Sequence, residues 1–182
     1  NILLNGLNKV DSFCFNPHKL LNLNLQSCVL LINRKDISAN YTRVDYLFNS
    51  DKFYDNNYDT GNKYFMCGRK PDIFKLWLVW KVKGISYFSD KINSIMEKNR
   101  YFRTKLGEYD NFDLINTLNS LCVCFFVKNS DPISIKKKLL ENNLAMITYQ
   151  KNKDYDNFFR ICFANTNCKK EDIDKLINYI IN

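Results

Sequence analysis

The stretch Asp-Ser-Phe-Cys-Phe-Asn-Pro-His-Lys occupies residues 11–19 and places a lysine behind a short apolar run and a proline. Pro17 fixes its own φ at about −65° and restricts the residue before it, so it ends the regular structure of the apolar run. We therefore expect Phe13 and Phe15 to lie in a short buried strand. Lys19 should then lie in a tight turn after that strand.

Two interpretations of Lys19 remain open at this point. A lysine that has lost part of its solvation can be a neutral amine, which is the form that attacks a carbonyl carbon. Alternatively, Lys19 is an exposed side chain of an ordinary turn. The spacing of the residues by itself favours the second interpretation.

Length and composition indicate a globular chain of one domain or slightly more. The chain has 182 residues, of which 46% are hydrophobic and 15% aromatic, and such values exclude a disordered tail. No apolar run reaches the roughly 20 residues that a membrane-spanning helix needs. The first residue is Asn1 rather than Met, and we interpret the chain as a fragment of a longer one.

Charge and cysteine content narrow the possible partners and ligands. The net charge is +8, but the lysines are scattered apart from a run at residues 136–138, so nucleic-acid binding is not favoured. The seven cysteines form no regular framework, which indicates a reducing compartment. Cys122 and Cys124 should share one strand face as small apolar side chains, and we expect no metal site.

A series of motifs continues from residues 11–19 through the chain. They are Tyr-Leu-Phe at 46–48, Asp-Lys-Phe-Tyr-Asp at 51–55, Tyr-Asp-Thr-Gly at 58–61, Cys-Gly-Arg at 67–69, Asp-Ile-Phe-Lys-Leu-Trp-Leu at 72–78 and Asn-Phe-Phe-Arg at 157–160. In this order they resemble the pyridoxal-phosphate-dependent group II amino-acid decarboxylases, and most of all the glutamate and cysteine sulfinate branch. The family usually has Gly and Pro at positions 22 and 24, where this chain has Asn22 and Asn24. Asn tolerates a left-handed backbone, so the turn can survive this change.

The resemblance implies an α/β fold, namely the C-terminal part of a fold-type I enzyme similar to aspartate aminotransferase. Residues 1–85 would be the end of the large cofactor-binding domain with its catalytic loop, and residues 86–182 would be the small C-terminal domain. Within the latter, the apolar pattern predicts strand, helix, strand, strand and helix. These elements span residues 121–127, 133–142, 144–149, 158–163 and 171–181.

Two further segments have clear expectations from the residues alone. Residues 27–32 are an apolar run typical of a buried strand. Residues 73–82 are apolar on nearly all sides, which predicts a deeply buried helix that Gly84 ends. A second helix should follow and end at Gly107.

The resemblance also assigns a cofactor, pyridoxal 5'-phosphate, and the residues that bind it. Lys19 would bond covalently to the cofactor aldehyde, while Ser12, Asn16 and His18 would help to hold the phosphate and shape the turn. Gly68 would reach the cofactor phosphate of a partner subunit, which implies a homodimer. A backbone amide near a helix N-terminus is a suitable ligand for an anion.

Two residues are implied to act on the substrate. Tyr54 would protonate the substrate carbon after CO2 leaves, and Arg160 would bind the α-carboxylate through two parallel hydrogen bonds. Without the resemblance, Tyr54 is a surface residue of a loop. Arg160 could equally be a cation in a structural ion pair.

The function implied is decarboxylation of an acidic amino acid, either glutamate to GABA or cysteine sulfinate to hypotaurine, in a cytoplasmic enzyme. In the family, the aspartate that pairs with the pyridine nitrogen and the histidine that stacks on the ring lie upstream of Asn1. We therefore expect the 182 residues alone to be inactive. The alternative is a degenerate, non-catalytic homologue that serves as a dimerisation or binding module.

Overall fold

A computed structural model describes residues 5–24, 26–33, 49–59, 68, 70–115 and 119–181. The chain divides into two compact units, Asn1–Gly84 and Ile85–Asn182. The assignment of residues 1–85 to a cofactor-binding domain and of residues 86–182 to a small domain stays a prediction.

A β-hairpin and one turn of helix organise the start of the first unit. Strand β1 (Ser12–Phe15) is followed by helix α1 (Pro17–Leu20) and strand β2 (Val29–Ile32). The two strands are antiparallel, and Phe15 lies opposite Val29. Asn22 has a φ of 54°, which confirms the left-handed backbone expected of an asparagine in this turn.

The strands of this hairpin are not buried by the described part of the chain, contrary to the prediction for both apolar runs. The exposed fractions of Leu30 and Leu31 are 57% and 56%, and that of Phe13 is 36%. The sheet has two strands, and two strands cannot cover their own faces. Burial of these side chains therefore needs a cover that the apolar pattern does not specify.

Helix α2 (Asp72–Leu106) is interrupted at Gly84, where φ is 73° and ψ is 174°. The prediction that Gly84 disrupts the helix is thus confirmed, although the helix resumes directly after it. The predicted deep burial of residues 73–82 is wrong for this chain, because Trp77 is 54% exposed and Val82 is 71% exposed. Among the helices of the described residues, none has the length and apolar composition needed to cross a lipid bilayer.

The second unit contains a four-stranded antiparallel sheet with two helices. Its strands are β3 (Phe112–Leu114), β4 (Val123–Val127), β5 (Thr148–Gln150) and β6 (Phe158–Ile161), in the spatial order β3-β4-β6-β5, and its helices besides the end of α2 are α3 (Pro132–Glu141) and α4 (Lys170–Ile181). The predicted series from strand to terminal helix is confirmed, with boundaries that differ by a few residues. Strand β3 was not predicted, because three residues are too short to show an alternating pattern.

An aromatic core holds the second unit together. Phe102 from α2, Phe125 from β4 and Phe159 from β6 are completely buried. The ring centroid of Phe125 lies 5.5 Å from that of Phe102 and also 5.5 Å from that of Phe159. Both distances are usual for packed aromatic pairs. Leu139 and Ile177 bring α3 and α4 onto the same core. The helices thus cover a sheet face, as the sequence predicted.

Candidate active site

Helix α1 presents Lys19 to solvent. Pro17 occupies the first turn, where its missing N–H costs nothing, and the Lys19 backbone N–H donates to the Asn16 carbonyl over 3.0 Å. The side chain of Asn16 does not cap the helix. Lys19 therefore lies in one turn of α-helix after an exposed strand, and the expected tight turn after a buried strand is wrong. Within the described part of the chain, its ammonium group has no hydrogen bond or ion pair, so the amine is accessible.

His18 ties α1 to the segment before β2. Its Nδ1 lies 3.2 Å from the backbone N–H of Ser27 and 2.5 Å from the Ser27 carbonyl oxygen. The tautomer decides whether this nitrogen accepts from the N–H or donates to the carbonyl. Ser27 is 2% exposed, so the contact holds the backbone beside Lys19 to a buried residue. A phosphate-binding role of His18 stays a prediction.

Lys75 connects the start of α2 to the chain that leaves the Lys19 helix. Its Nζ donates to the carbonyl oxygens of Gln26 at 2.7 Å and Asn24 at 3.3 Å. The same Nζ pairs with Asp72 at 2.9 Å. Because charged hydrogen bonds are stronger than neutral ones, this lysine helps to hold the carbonyl groups of Asn24 and Gln26 within the first unit.

Tyr54 lies in a small polar cluster of the segment that resembles the catalytic loop. Its hydroxyl donates to Asp59 Oδ1 over 3.0 Å, and Lys52 forms a charged hydrogen bond to the other oxygen of the same carboxylate. The Lys52 hydrogen bond holds the pKa of Asp59 below its usual value. The hydrogen bond to Asp59 likewise raises the pKa of Lys52. The carboxylate thus stays ionised and orients the Tyr54 hydroxyl.

Ser12 and Gly68 are both exposed to solvent in this structure. Ser12 is exposed and borders an open cleft together with Leu7, Phe13 and Ile32, whereas Lys19 is not among the residues that line this cleft. Gly68 is exposed, and a Cβ added to it would meet nothing within 4 Å. The phosphate contacts predicted for both residues stay predictions.

Arg160 lies in the middle of the sheet of the second unit. It is opposite Cys124 on β4 and Thr148 on β5, and it is exposed between buried neighbours on β6. Burial raises the pKa of the Cys124 thiol, and the charge of Arg160 opposes that rise. No ion pair or hydrogen bond of the Arg160 guanidinium occurs in the described residues. Of the two alternatives, a structural ion pair therefore has no support, and the group is available for an anionic ligand.

The structure adds residues to which the sequence gave no role. Asp59 and Lys52 belong to the quoted motifs at 58–61 and 51–55, but nothing in their spacing showed that both would reach Tyr54. Ser27 contacts His18 through its backbone N–H and carbonyl groups, and Lys75 donates to backbone carbonyl oxygens. Backbone contacts leave no signal in a side-chain pattern, so these two residues could not be found from the sequence.

The family follows from comparison with known proteins. Residues 1–128 match the model of the pyridoxal-dependent decarboxylase conserved domain. This chain belongs to that family. The matched residues include the stretch at 11–19 that carries Lys19, and the match ends one residue after strand β4.

Similar proteins narrow the branch of the pyridoxal-dependent decarboxylases. Acidic amino acid decarboxylase GADL1 of Homo sapiens is 31% identical over 98% of this chain and 38% of its own length. The crystal structure of mouse CSAD superposes with a TM-score of 0.85 at 31% identity, over 98% of this chain and 41% of that one. A tryptophan decarboxylase of Catharanthus roseus, at 21% identity and a TM-score of 0.80, shows the fold alone. The predicted family and fold class are confirmed, and the chain spans about two fifths of the relatives it matches.

The residues of the first unit fit a pyridoxal phosphate group in part. An accessible, unpaired amine on a short helix is the donor that an aldehyde cofactor requires. The described residues do not enclose that amine, however, and a cofactor site is normally a cleft that covers most of its ligand. The described residues thus supply the candidate reacting nitrogen and some neighbours, and they form no wall around it.

Proposed function

We propose that this chain is the C-terminal portion of a pyridoxal-phosphate-dependent decarboxylase that acts on an acidic amino acid, either glutamate or cysteine sulfinate. The observation that carries the proposal is the accessible, unpaired amine of Lys19 within a motif of this family. The similarity to an acidic amino acid decarboxylase supports the substrate class.

Lys19 would hold the cofactor through its Nζ and release it when the substrate amine takes its place. When bound, pyridoxal phosphate supplies an aldehyde carbon and an electron-withdrawing ring that accepts the electrons left by departing CO2. The contact of His18 with Ser27 restrains the backbone of the Lys19 helix at a buried point. Such restraint keeps the amine in one place, and correct placement is itself a large part of catalysis.

Arg160 would bind the α-carboxylate of the substrate. Its planar guanidinium can donate two parallel hydrogen bonds, which fix the orientation of the carboxylate as well as its position. Orientation matters because the bond to the departing CO2 would have to be held in the one pose from which it can break. The exposed position of Arg160 on β6, without an intramolecular anion among the described residues, supports this role.

Tyr54 would deliver a proton to the α-carbon after CO2 leaves. Its hydroxyl donates a hydrogen bond to Asp59. Lys52 keeps that carboxylate ionised and therefore able to accept. The Asp59 carboxylate would thus orient the phenol until the substrate carbon takes up its proton.

The exposed apolar surface of the first unit supports the proposal that more protein completes the site. Large apolar side chains on the first part of α2 and on β2 face solvent; they include Ile73, Phe74, Trp77, Trp80, Leu30 and Leu31. Large apolar side chains exposed in such number are typical of an interface. We expect upstream residues and a second subunit to cover this surface in a cytoplasmic homodimer. In that dimer, Gly68 would bind the cofactor phosphate of the partner subunit.

The test is to locate the cofactor bond. In an enzyme that carries the upstream portion, borohydride reduction with pyridoxal phosphate should leave the pyridoxyl group on Lys19, as peptide mass spectrometry would show. Lys19→Arg should abolish the adduct and CO2 release, whereas Lys9→Arg should change neither. The 182-residue chain alone should give little adduct and no CO2. An adduct on another lysine would contradict the proposal.

The exposed apolar face also favours one alternative, a non-catalytic homologue that serves as a binding module. Such a protein would associate with a second chain through α2 and would need no reactive amine. If the enzyme with its upstream portion forms dimers but neither binds pyridoxal phosphate nor releases CO2, this alternative is correct.

A further inference from the structure

One peptide group of the first unit is held from both sides, by a side chain of α2 and by the residue before Lys19. Lys75 Nζ donates to the Gln26 carbonyl oxygen over 2.7 Å, and the Ser27 backbone nitrogen lies 3.2 Å from His18 Nδ1. The Gln26 carbonyl and the Ser27 N–H belong to one planar group and point in opposite directions. The same Nδ1 lies 2.5 Å from the Ser27 carbonyl oxygen, so His18 is tied to Ser27 in either tautomer.

The short length of α1 explains why Lys19 needs contacts of this kind. The helix has four residues, and isolated helices of fewer than about 12 residues are marginal, because the first turn costs more entropy than its hydrogen bond returns. The N–H groups of Leu21 and Leu23 donate to the Pro17 carbonyl oxygen at 3.1 and 3.4 Å. These bonds lie within the segment, so they shape the turn without fixing its place on the rest of the first unit.

The partners of Lys75 use the whole hydrogen-bonding capacity of its ammonium group. Besides Gln26, the Nζ atom contacts the Asn24 carbonyl oxygen at 3.3 Å and Asp72 Oδ1 at 2.9 Å. An ammonium group has three N–H donors, and these three oxygens match them. The two carbonyl groups lie 49 and 51 positions away in the sequence. Lys75 therefore joins the first turns of α2 to the segment that follows α1.

We propose that Lys75 is a positioning residue for Lys19 and acts through the peptide group between residues 26 and 27. The inference rests on the proposed function, in which Lys19 Nζ bonds to the cofactor aldehyde. Lys75 acts on the place of α1 and not on the cofactor itself. Loss of its ammonium group should leave the reacting amine present but displaced, and a reacting group that is displaced by about 1 Å can lose about 100-fold in rate.

The second unit offers a matched control, because one of its lysines makes the same kind of contact. Lys98 Nζ donates to the backbone carbonyl oxygens of Asn165 and Thr166, both at 3.3 Å. Lys98 belongs to the second unit, whereas Lys75 and Lys19 belong to the first. Substitution of either lysine by methionine removes a charged contact with two backbone carbonyls and keeps a long apolar side chain. Only the substitution of Lys75 should affect Lys19.

The experiment compares Lys75→Met, Lys75→Arg and Lys98→Met in an enzyme that carries the upstream portion. Samples are reduced with borohydride at successive times after pyridoxal phosphate is added, and peptide mass spectrometry gives the rate at which Lys19 acquires the pyridoxyl group. Lys75→Met should slow this reaction by about 10- to 100-fold. Lys98→Met should match the wild type. Lys75→Arg should recover most of the rate, because a guanidinium group also offers several N–H donors to oxygen atoms.

Hydrogen exchange of the same enzyme without cofactor separates this inference from the proposed function. Amide exchange in residues 17–27 should be faster in Lys75→Met than in the wild type and unchanged in Lys98→Met, whether or not Lys19 bonds to the cofactor. A merely structural role would lower the melting temperature of Lys75→Met and leave the labelling rate of its folded fraction equal to that of the wild type. Equal labelling rates, or equal exchange in residues 17–27, would overturn the inference. A wild type that acquires no pyridoxyl group on Lys19 would instead contradict the proposed function.

Discussion

The two units differ in how completely they bury their own apolar residues. In the second unit, Phe102, Phe125 and Phe159 are fully buried. In the described residues of the first unit, Leu23 is the one large apolar side chain that is buried, whereas Trp77 is 54% exposed. The described residues of the unit with the candidate cofactor lysine therefore form no closed core. Residues that bury little apolar surface among themselves gain little stability from one another.

The largest expected difference between the units concerns a phenylalanine in each. Phe159→Ala should destabilise the second unit by about 3–5 kcal/mol, because it removes a fully buried ring and leaves a cavity. Phe74→Ala, at a position that is 55% exposed, should change the free energy of unfolding by less than about 1 kcal/mol. Urea unfolding followed by circular dichroism measures both. Equal losses would show that the first unit has a closed core after all.

A smaller effect is expected for the proton transfer that we propose for Tyr54 in the first unit. In an enzyme with the upstream portion, Tyr54→Phe should increase the fraction of turnovers that end in abortive transamination, because the phenol that would protonate the substrate α-carbon is gone. Product analysis gives the ratio of aldehyde to amine. Asp59→Asn should shift this ratio in the same direction but less, because the phenol proton remains and loses its orientation.

Tyr58→Phe is the matched control, since Tyr58 is 80% exposed and precedes Asp59 in the same segment. Its ratio should equal that of the wild type. An unchanged ratio in Tyr54→Phe would remove the proton-donor role, and a change in Tyr58→Phe would move that role to another residue.

The smallest expected effect concerns the cap of α3 in the second unit. The Asp131 carboxylate accepts hydrogen bonds from Ser134 and from the backbone N–H of Ile133, and the hydrogen bond from the Ser134 hydroxyl is the main cause of its lowered pKa. Asp131→Ala should lower the melting temperature at neutral pH, whereas Asp131→Asn should retain most of the cap.

The pH dependence of this effect has a definite sign. Because the pKa of Asp131 is lower in the folded chain than in the unfolded chain, its contribution is complete above the unfolded value of 3.8 and is lost as the pH falls through the folded value. The difference between the melting temperatures of the wild type and Asp131→Ala should therefore shrink in acid. A constant difference would mean that the carboxylate charge does not contribute.

The sequence by itself determined the local elements and the family. The pattern at residues 133–142 predicts α3, Asn22 has the left-handed backbone expected of it, and the motif at 11–19 indicated the family before any comparison. Such features depend on residues within a few positions of one another, so a linear pattern contains them.

The tertiary structure alone decided what is covered and what is in contact. The apolar pattern at residues 73–82 is the same whether the helix is buried or exposed. Periodicity shows which face of a helix is apolar, and it does not show what packs against that face. The contact of Tyr54 with Asp59 depends on how a loop closes, and the contact of Lys75 with Gln26 joins residues that are 49 positions apart. The path of the backbone and its packing set both contacts, and the order of the residues displays neither.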